Sequence, residues 1–194
     1  MPAFFLALVC PALLAAPTAR PAVIKDFALM DAQGKKHTAA EWKGTAAVVL
    51  IFLGTDCPVS NFYAPEYGRL ARTFTKKGAR FYGIHPDPDV TAAAAARHAA
   101  EYRLAFPILL DPTHTVVRPA GVEVVPSAVV LAPDGKILYR GRIDDRYTAD
   151  GVRREVPTRR DLEDALKAVL AGKAPPVAET KAFGCPLPEP AKPK

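Results

Sequence analysis

The sequence predicts an α/β fold, a central mixed β-sheet flanked by helices. Three observations carry this. The run at residues 46–53 is almost wholly apolar, the pattern of a strand buried on both faces. A helical stretch and a second buried run at residues 79–84 follow it. Near the end, Ala132-Pro133-Asp134-Gly135 separates two apolar runs and reads as a hairpin turn.

Taken in order, Val23 to Met30 opens the folded part, and Asp31-Ala32-Gln33-Gly34-Lys35 reads as a turn. After the central strand, residues 61–77 fit one helix anchored by Phe62, Leu70 and Phe74. Pro65 is tolerated in its first turn and Gly78 stops it. Pro86 and Pro88 enforce a loop after the second strand. Residues 89–102 form an alanine-rich helix capped by Asp89 or Thr91. Residues 106–110 are a short strand. Residues 125–131 and 136–139 are the hairpin arms. Thr158 caps a last helix over 159–170, with Leu162, Leu166, Val169 and Leu170 on its apolar face, and Gly172 ends it.

The chain has 194 residues, 49% apolar, which suits one domain with a substantial core plus appendages. Its formal charge is +6, and the basic residues are scattered apart from Arg153-Arg154 and Arg159-Arg160. Neither a basic groove nor interleaved aromatic platforms are visible, so nucleic acid is not an expected partner. Residues 1–19 hold Phe4-Phe5-Leu6-Ala7-Leu8-Val9 and Ala12-Leu13-Leu14-Ala15-Ala16, then small residues, which reads as an export signal. The run is too short and proline-broken for a membrane span, so no membrane contact is expected once the signal is removed. The expected division is a signal at 1–19, the main domain at 20–172 and a proline-containing tail at 173–194. The expected location is the periplasm or the exterior.

Cleavage would remove Cys10 and leave Cys57 and Cys185. In an exported protein an even pair suggests a disulfide, and in a reducing cytosol the same two are unrelated thiols. Cys57 stands where the central strand gives way to a helix, and helix N-termini stabilise thiolates. The amides of Val59 to Asn61 supply that positive end. Asp56 acts oppositely, because a neighbouring carboxylate raises a thiol pKa. Thr55 either bonds the sulfur or caps the turn.

The strand–Cys57–helix junction, the Val124-Val125-Pro126-Ser127 segment and the Asp134-Gly135 hairpin together resemble the thioredoxin-like superfamily, in its redoxin and peroxiredoxin-like (AhpC/TSA-type) branch. The resemblance spans about residues 22–170 and implies the thioredoxin-like fold. It implies a cis peptide at Pro126 beside the reactive cysteine, leaving a free backbone edge for a bound peptide or mixed disulfide. Cys57-Pro58-Val59-Ser60 is similar to a Cys-x-x-Cys redox pair with Ser60 in the second place. The Gly141-to-Tyr147 segment and the Gly184-Cys185-Pro186 tail are similar to those of some exported bacterial redoxin-like proteins. The resemblance makes Cys185 the candidate resolving thiol, the alternative being a permanent disulfide that staples the tail. By their chemistry Phe183 anchors the tail by apolar burial and Lys181 favours the thiolate. The charge density of Asp144, Asp145 and Arg146 suggests either an internal salt bridge or a loop near the functional end, with Arg146 an electrostatic partner or gate for Cys57.

This reading implies a thiol–disulfide oxidoreductase acting with protein thiols or disulfides and a separate reductant, with no bound cofactor or metal. A thiol peroxidase with antioxidant activity, consuming peroxide, is an alternative. Against it, Gly54 stands where peroxiredoxins place a hydroxyl, and Ser127-Ala128-Val129 provides no match to their arginine. A periplasmic copper-binding or metallochaperone module is a further alternative. Its relatives use Cys-x-x-x-Cys and a histidine, whereas Asn61 fills the second place here. His85 or His114 would then complete a site with Cys185. His37 and His98 lack companion ligands at a persuasive spacing.

Overall fold

A computed structural model describes residues 23–25, 27–148 and 152–192. The expected export segment, with Cys10, lies outside the described residues. In chain order the strands are β1 (Ala28–Asp31), β2 (Lys36–Thr38) and β3 (Ala47–Phe52). Helices α1 (Pro58–Phe62) and α2 (Ala64–Thr75) follow, then β4 (Ala79–His85), α3 (Ala92–Glu101) and β5 (Ile108–Leu110). The remainder is α4 (Val117–Ala120), β6 (Val124–Val125), β7 (Ser127–Leu131), β8 (Ile137–Gly141), α5 (Asp161–Leu170) and β9 (Cys185–Pro186). Seven strands make one mixed sheet in the order β2-β1-β5-β4-β3-β7-β8, and β6 pairs with β9 as a separate ladder. β3, β4 and β5 run parallel, and the other pairings are antiparallel.

β3 lies between β4 and β7, and all six of its residues are fully buried. That is the thioredoxin-like α/β arrangement the apolar run predicts. Alternation along β3 sends Val49 and Ile51 to one face, where they meet Tyr67, Leu70 and Phe74 of α2 and Leu162 and Leu166 of α5. Val48, Leu50 and Phe52 point to the other face, against Phe27, Trp42, Val117 and Ala120. The longer helices crowd the first face. A 3-10 turn (Ala39–Trp42) and α4 cover much of the second.

The expected single helix over 61–77 is two helices, beginning earlier, at Pro58. Proline at position 65 has no N–H to donate back to Asn61, so the ladder breaks near Tyr63 and restarts with Pro65 in the first turn of α2. The last helix begins at Asp161 rather than 159, and Thr158 does not cap it. Instead the Thr158 N–H donates to Asp145 Oδ1 at 2.8 Å, and its hydroxyl also bonds Asp145. Thr91 is the cap of α3, its hydroxyl accepting from the Ala94 N–H at 3.2 Å. The arms either side of Pro126 separate into β6 and β7, because proline has no N–H to give to a ladder. β2, α4 and β9 are too short to carry a readable period.

Candidate functional site

Cys57 caps α1 at the C-terminal end of β3. Its sulfur accepts from the Ser60 N–H at 3.4 Å, an interaction that favours a thiolate. The loop holding it is fixed from both sides. The Gly54 N–H donates to Ser60 Oγ at 3.2 Å, and Asn61 Nδ2 donates to the Thr55 carbonyl at 2.8 Å. Ser60 thus takes the second place of the Cys-x-x-Cys frame as a buried brace. Thr55 contributes its carbonyl to the turn. Gly54 leaves little room, since a Cβ there would stand 3.0 Å from Val125 Cγ2 and 3.1 Å from Cys57 Cβ.

The sulfur of Cys57 also lies 3.4 Å from the Val125 carbonyl oxygen. This becomes a hydrogen bond only when the sulfur carries a proton, so it opposes the Ser60 N–H once the thiol is free. Val125 belongs to the cis peptide with Pro126, which places that peptide beside Cys57.

Cys57 and Cys185 are joined in a disulfide with a Cα–Cα separation of 6.0 Å, within the usual 4.4–6.8 Å range. The backbone edge beside Pro126, which the resemblance implied is free, is occupied. The chain's own tail fills it: β9 pairs antiparallel with β6, Cys185 opposite Val125 and Pro186 opposite Val124. Cys57 is 4% exposed under this tail, whereas Cys185 is half-buried. Gly184 permits the approach, because a Cβ at 184 would overlap the Val125 carbonyl and come within 2.9 Å of Pro126 Cδ.

The tail reaches Cys57 through a fixed point at Thr180. Thr180 N–H donates to the Arg140 carbonyl at 3.0 Å, and Thr180 Oγ1 accepts from the Arg142 N–H at 3.1 Å and pairs with Tyr139 Oη at 2.8 Å. Beyond Cys185 the contacts thin to the Leu187 N–H on the Glu123 carbonyl at 3.2 Å and the Ala191 N–H on the Pro112 carbonyl at 2.7 Å. Phe183 is partly buried, and the Lys181 ammonium sits over its ring rather than on a sulfur.

Arg146 is brought elsewhere. Its Nε donates to Asp144 Oδ2 at 2.8 Å, and its guanidinium stacks on Phe62 and Tyr63. Tyr63 belongs to the helix-rich core face, while Cys57 packs into the other. The charge density of the Asp144-Asp145-Arg146 run is thus satisfied internally, with Tyr63 Oη donating to Asp144 Oδ1 at 2.5 Å. Burial, then the bond to Asp144 and its charge, push the Tyr63 phenol up. Asp56 is exposed and, with Thr55, lines a hollow shared with His98, Asp87 and Asp89.

The histidines serve the framework. His37 lies between Asp31 and Glu41, at 2.8 and 3.0 Å. His114 Nε2 donates to the Pro86 carbonyl at 3.0 Å. His98 Nε2 donates to Asn61 Oδ1 at 2.8 Å, since the amide nitrogen of Asn61 is engaged with Thr55. Among the described residues no three His, Cys, Asp or Glu side chains are grouped to hold a metal ion.

His85 is fully buried beside His98, and burial followed by that neighbour lowers its pKa to about 4. An unfolded chain binds a proton there near pH 6.5 and the folded one does not, so stability is full above that value. It is expected to fall as pH drops from about 6.5 to 4, by at most roughly 3 kcal/mol. Urea titrations across that range check this, and His85→Leu should flatten the slope.

The AhpC/TSA family model matches residues 22–140. The chain belongs to the AhpC/TSA family. Among curated relatives of this AhpC/TSA chain, "thiol-disulfide oxidoreductase ResA" of Bacillus thuringiensis subsp. konkukian (strain 97-27) is 28% identical over 113 residues. The match covers 58% of this chain and 64% of that protein. The ResA of Geobacillus thermodenitrificans (strain NG80-2) is 26% identical. Among solved structures, an uncharacterized conserved protein of Geobacillus kaustophilus aligns at a TM-score of 0.77 and 26% identity, covering 96% of this chain and 100% of that one. A hypothetical protein of Sinorhizobium meliloti 1021 aligns at 0.79 and 24% identity, covering 91% and 98%. It shares the fold.

Sequence reasoning reached both cysteines, Ser60 and Pro126. It missed Asn61, Thr180 and Gly184 as the groups that set the site. Only the last carried a signal, as the glycine of Gly-Cys-Pro.

Proposed function

We propose that this chain is an exported thiol–disulfide oxidoreductase with Cys57 as nucleophile and Cys185 as resolving thiol. The observation that carries the reading is the bond between a helix-capping cysteine and a tail cysteine 128 residues away. The names of the curated relatives support it, as does family membership. In the cycle, the Cys57 thiolate attacks a disulfide of a protein partner and the partner's other sulfur leaves as a thiolate. Cys185 then attacks the Cys57 sulfur, closing the internal disulfide and releasing the partner's second thiolate. A dithiol donor restores the pair through the half-buried Cys185 sulfur, and the Cys57 thiolate leaves towards the Ser60 N–H. In this reading Pro126 and Val125 shape the docking edge, and Thr55, Asp56 and Ser60 form the Cys57 loop. Arg146 positions Tyr63 through Asp144.

The apolar start of the sequence and the use of a disulfide support placement in the periplasm or outside the cell. Among the described residues no helix is long and apolar enough to cross a membrane. We assign residues 20–172 to the redox domain and 173–194 to the resolving tail.

The test is equilibration of the folded protein in glutathione buffers, with free thiols counted by alkylation. A transition between Cys57–Cys185 and two thiols within the physiological range is expected. A bond that persists in every buffer while the protein stays folded would make it a permanent staple. Family membership favours thiol peroxidase as a second reading. Rapid peroxide consumption lost in Cys57→Ser would select it, and consumption no faster than by a free thiol would remove it.

A further inference from the structure

The tail is the one occupant of the docking edge that the structure displays, and it states what fits there. β9 contributes only two paired residues, and residues 179–182 before it line a hollow of about 360 Å³. Of the residues around Cys185, only Cys185 and Leu187 pack against the buried cluster that contains Cys57 and Val125. Gly184 is different: no side chain fits at that place against the Val125 carbonyl and Pro126.

We infer that the tail is an internal stand-in for the partner, whose reactive segment is an extended strand with glycine immediately before its cysteine and an apolar residue two places after it. This rests on the oxidoreductase reading and adds the class of segment that Cys57 accepts. A partner pairs its cysteine with Val125, as Cys185 does, so its preceding residue meets the same carbonyl. Any side chain there forces the partner out of the register that presents its sulfur to Cys57. Tail and partner compete for one edge. The return of Cys185 therefore takes the partner's backbone bonds as it takes its sulfur.

The experiment uses the full chain carrying Cys185→Ser, reduced, so that Cys57 is the reacting thiol. Two peptides, Ala-Phe-Gly-Cys-Pro-Leu-Pro and Ala-Phe-Ala-Cys-Pro-Leu-Pro, are each prepared as a mixed disulfide with thionitrobenzoate. The Cys57 thiolate attacks the peptide sulfur, forms the Cys57–peptide disulfide and expels thionitrobenzoate with the bonding electron pair, which is read by its absorbance. Rates are normalised to those with free glutathione. The glycine peptide is expected to react at least tenfold faster. Gly184→Ala added to Cys185→Ser should raise the glycine-peptide rate several-fold, because the tail no longer seats on the edge.

Equal rates for the two peptides, with ordinary reactivity of Cys57 towards the symmetric nitrobenzoate disulfide, would overturn the inference and leave the oxidoreductase reading standing. An unchanged rate in the Gly184→Ala variant would overturn the competition between tail and partner. A Cys57 inert to both peptides and to the symmetric disulfide would remove the inference and the oxidoreductase reading together.

Discussion

Cys57→Ser is expected to reduce protein disulfide reduction to the uncatalysed background, while Cys185→Ser stops the cycle half-way. The two variants differ because the two sulfurs stand in different places. Cys57 receives an amide N–H at 3.4 Å and sits at the start of α1, so it has a means of becoming a thiolate. A serine hydroxyl there has no comparable acidity, and exchange needs a sulfur nucleophile. Without Cys185, Cys57 still attacks the partner, but the mixed disulfide waits for a thiol from solution. A tethered thiol acts at about millimolar effective concentration, so turnover should fall roughly 100-fold or more at micromolar donor. Non-reducing gels should show a partner-linked species in Cys185→Ser and none in Cys57→Ser. A linked species in Cys57→Ser alone would reverse the assigned roles.

Reduction of the disulfide is expected to lower the melting temperature by roughly 10 °C. The bond closes a loop with a sequence separation of 128. Chain-entropy arguments give about 5 kcal/mol for a loop of that length, as an upper figure. Partial loosening of the tail in the reduced fold brings the value down, and each kcal/mol corresponds to about 2–4 °C for a domain of this size. Calorimetry with and without a phosphine reductant measures the difference, and Cys185→Ala should match the reduced protein. A melting temperature indifferent to reduction would show that the bond contributes nothing to the fold.

What the amino-acid pattern could reveal follows from how locally each feature is encoded. β3 is legible because burial on both faces leaves no polar positions, and β4 nearly so, with Arg80 its one exposed residue. The cysteine at the strand end is legible for the same reason. The role of Thr158 was misread because the hydroxyl suits a cap equally well as a ligand for Asp145, and only the tertiary fold brings Asp145 to it. Arg146 carried two readings, a partner for Cys57 and an internal salt bridge, and its partners, Asp144 and the Phe62–Tyr63 pair, select the second on the face away from Cys57. The sequence presented Cys57 and Cys185 as two cysteines to be joined but not the means. A two-residue strand has no period, and its partner lies some sixty residues earlier in the sequence.

The Thr180 anchor has a consequence for colloidal behaviour. β8 is one of the two edge strands of the seven, with β2, and an open strand edge is a template for pairing with other molecules. Here the tail lies along it: Arg140 N–H donates to the Ala178 carbonyl, and Thr180 N–H returns a bond to the Arg140 carbonyl, both at 3.0 Å. This cover precedes the segment that must lift when Cys185 leaves Cys57. Opening the redox bond therefore need not uncover β8, and the protein can cycle without offering that edge for aggregation.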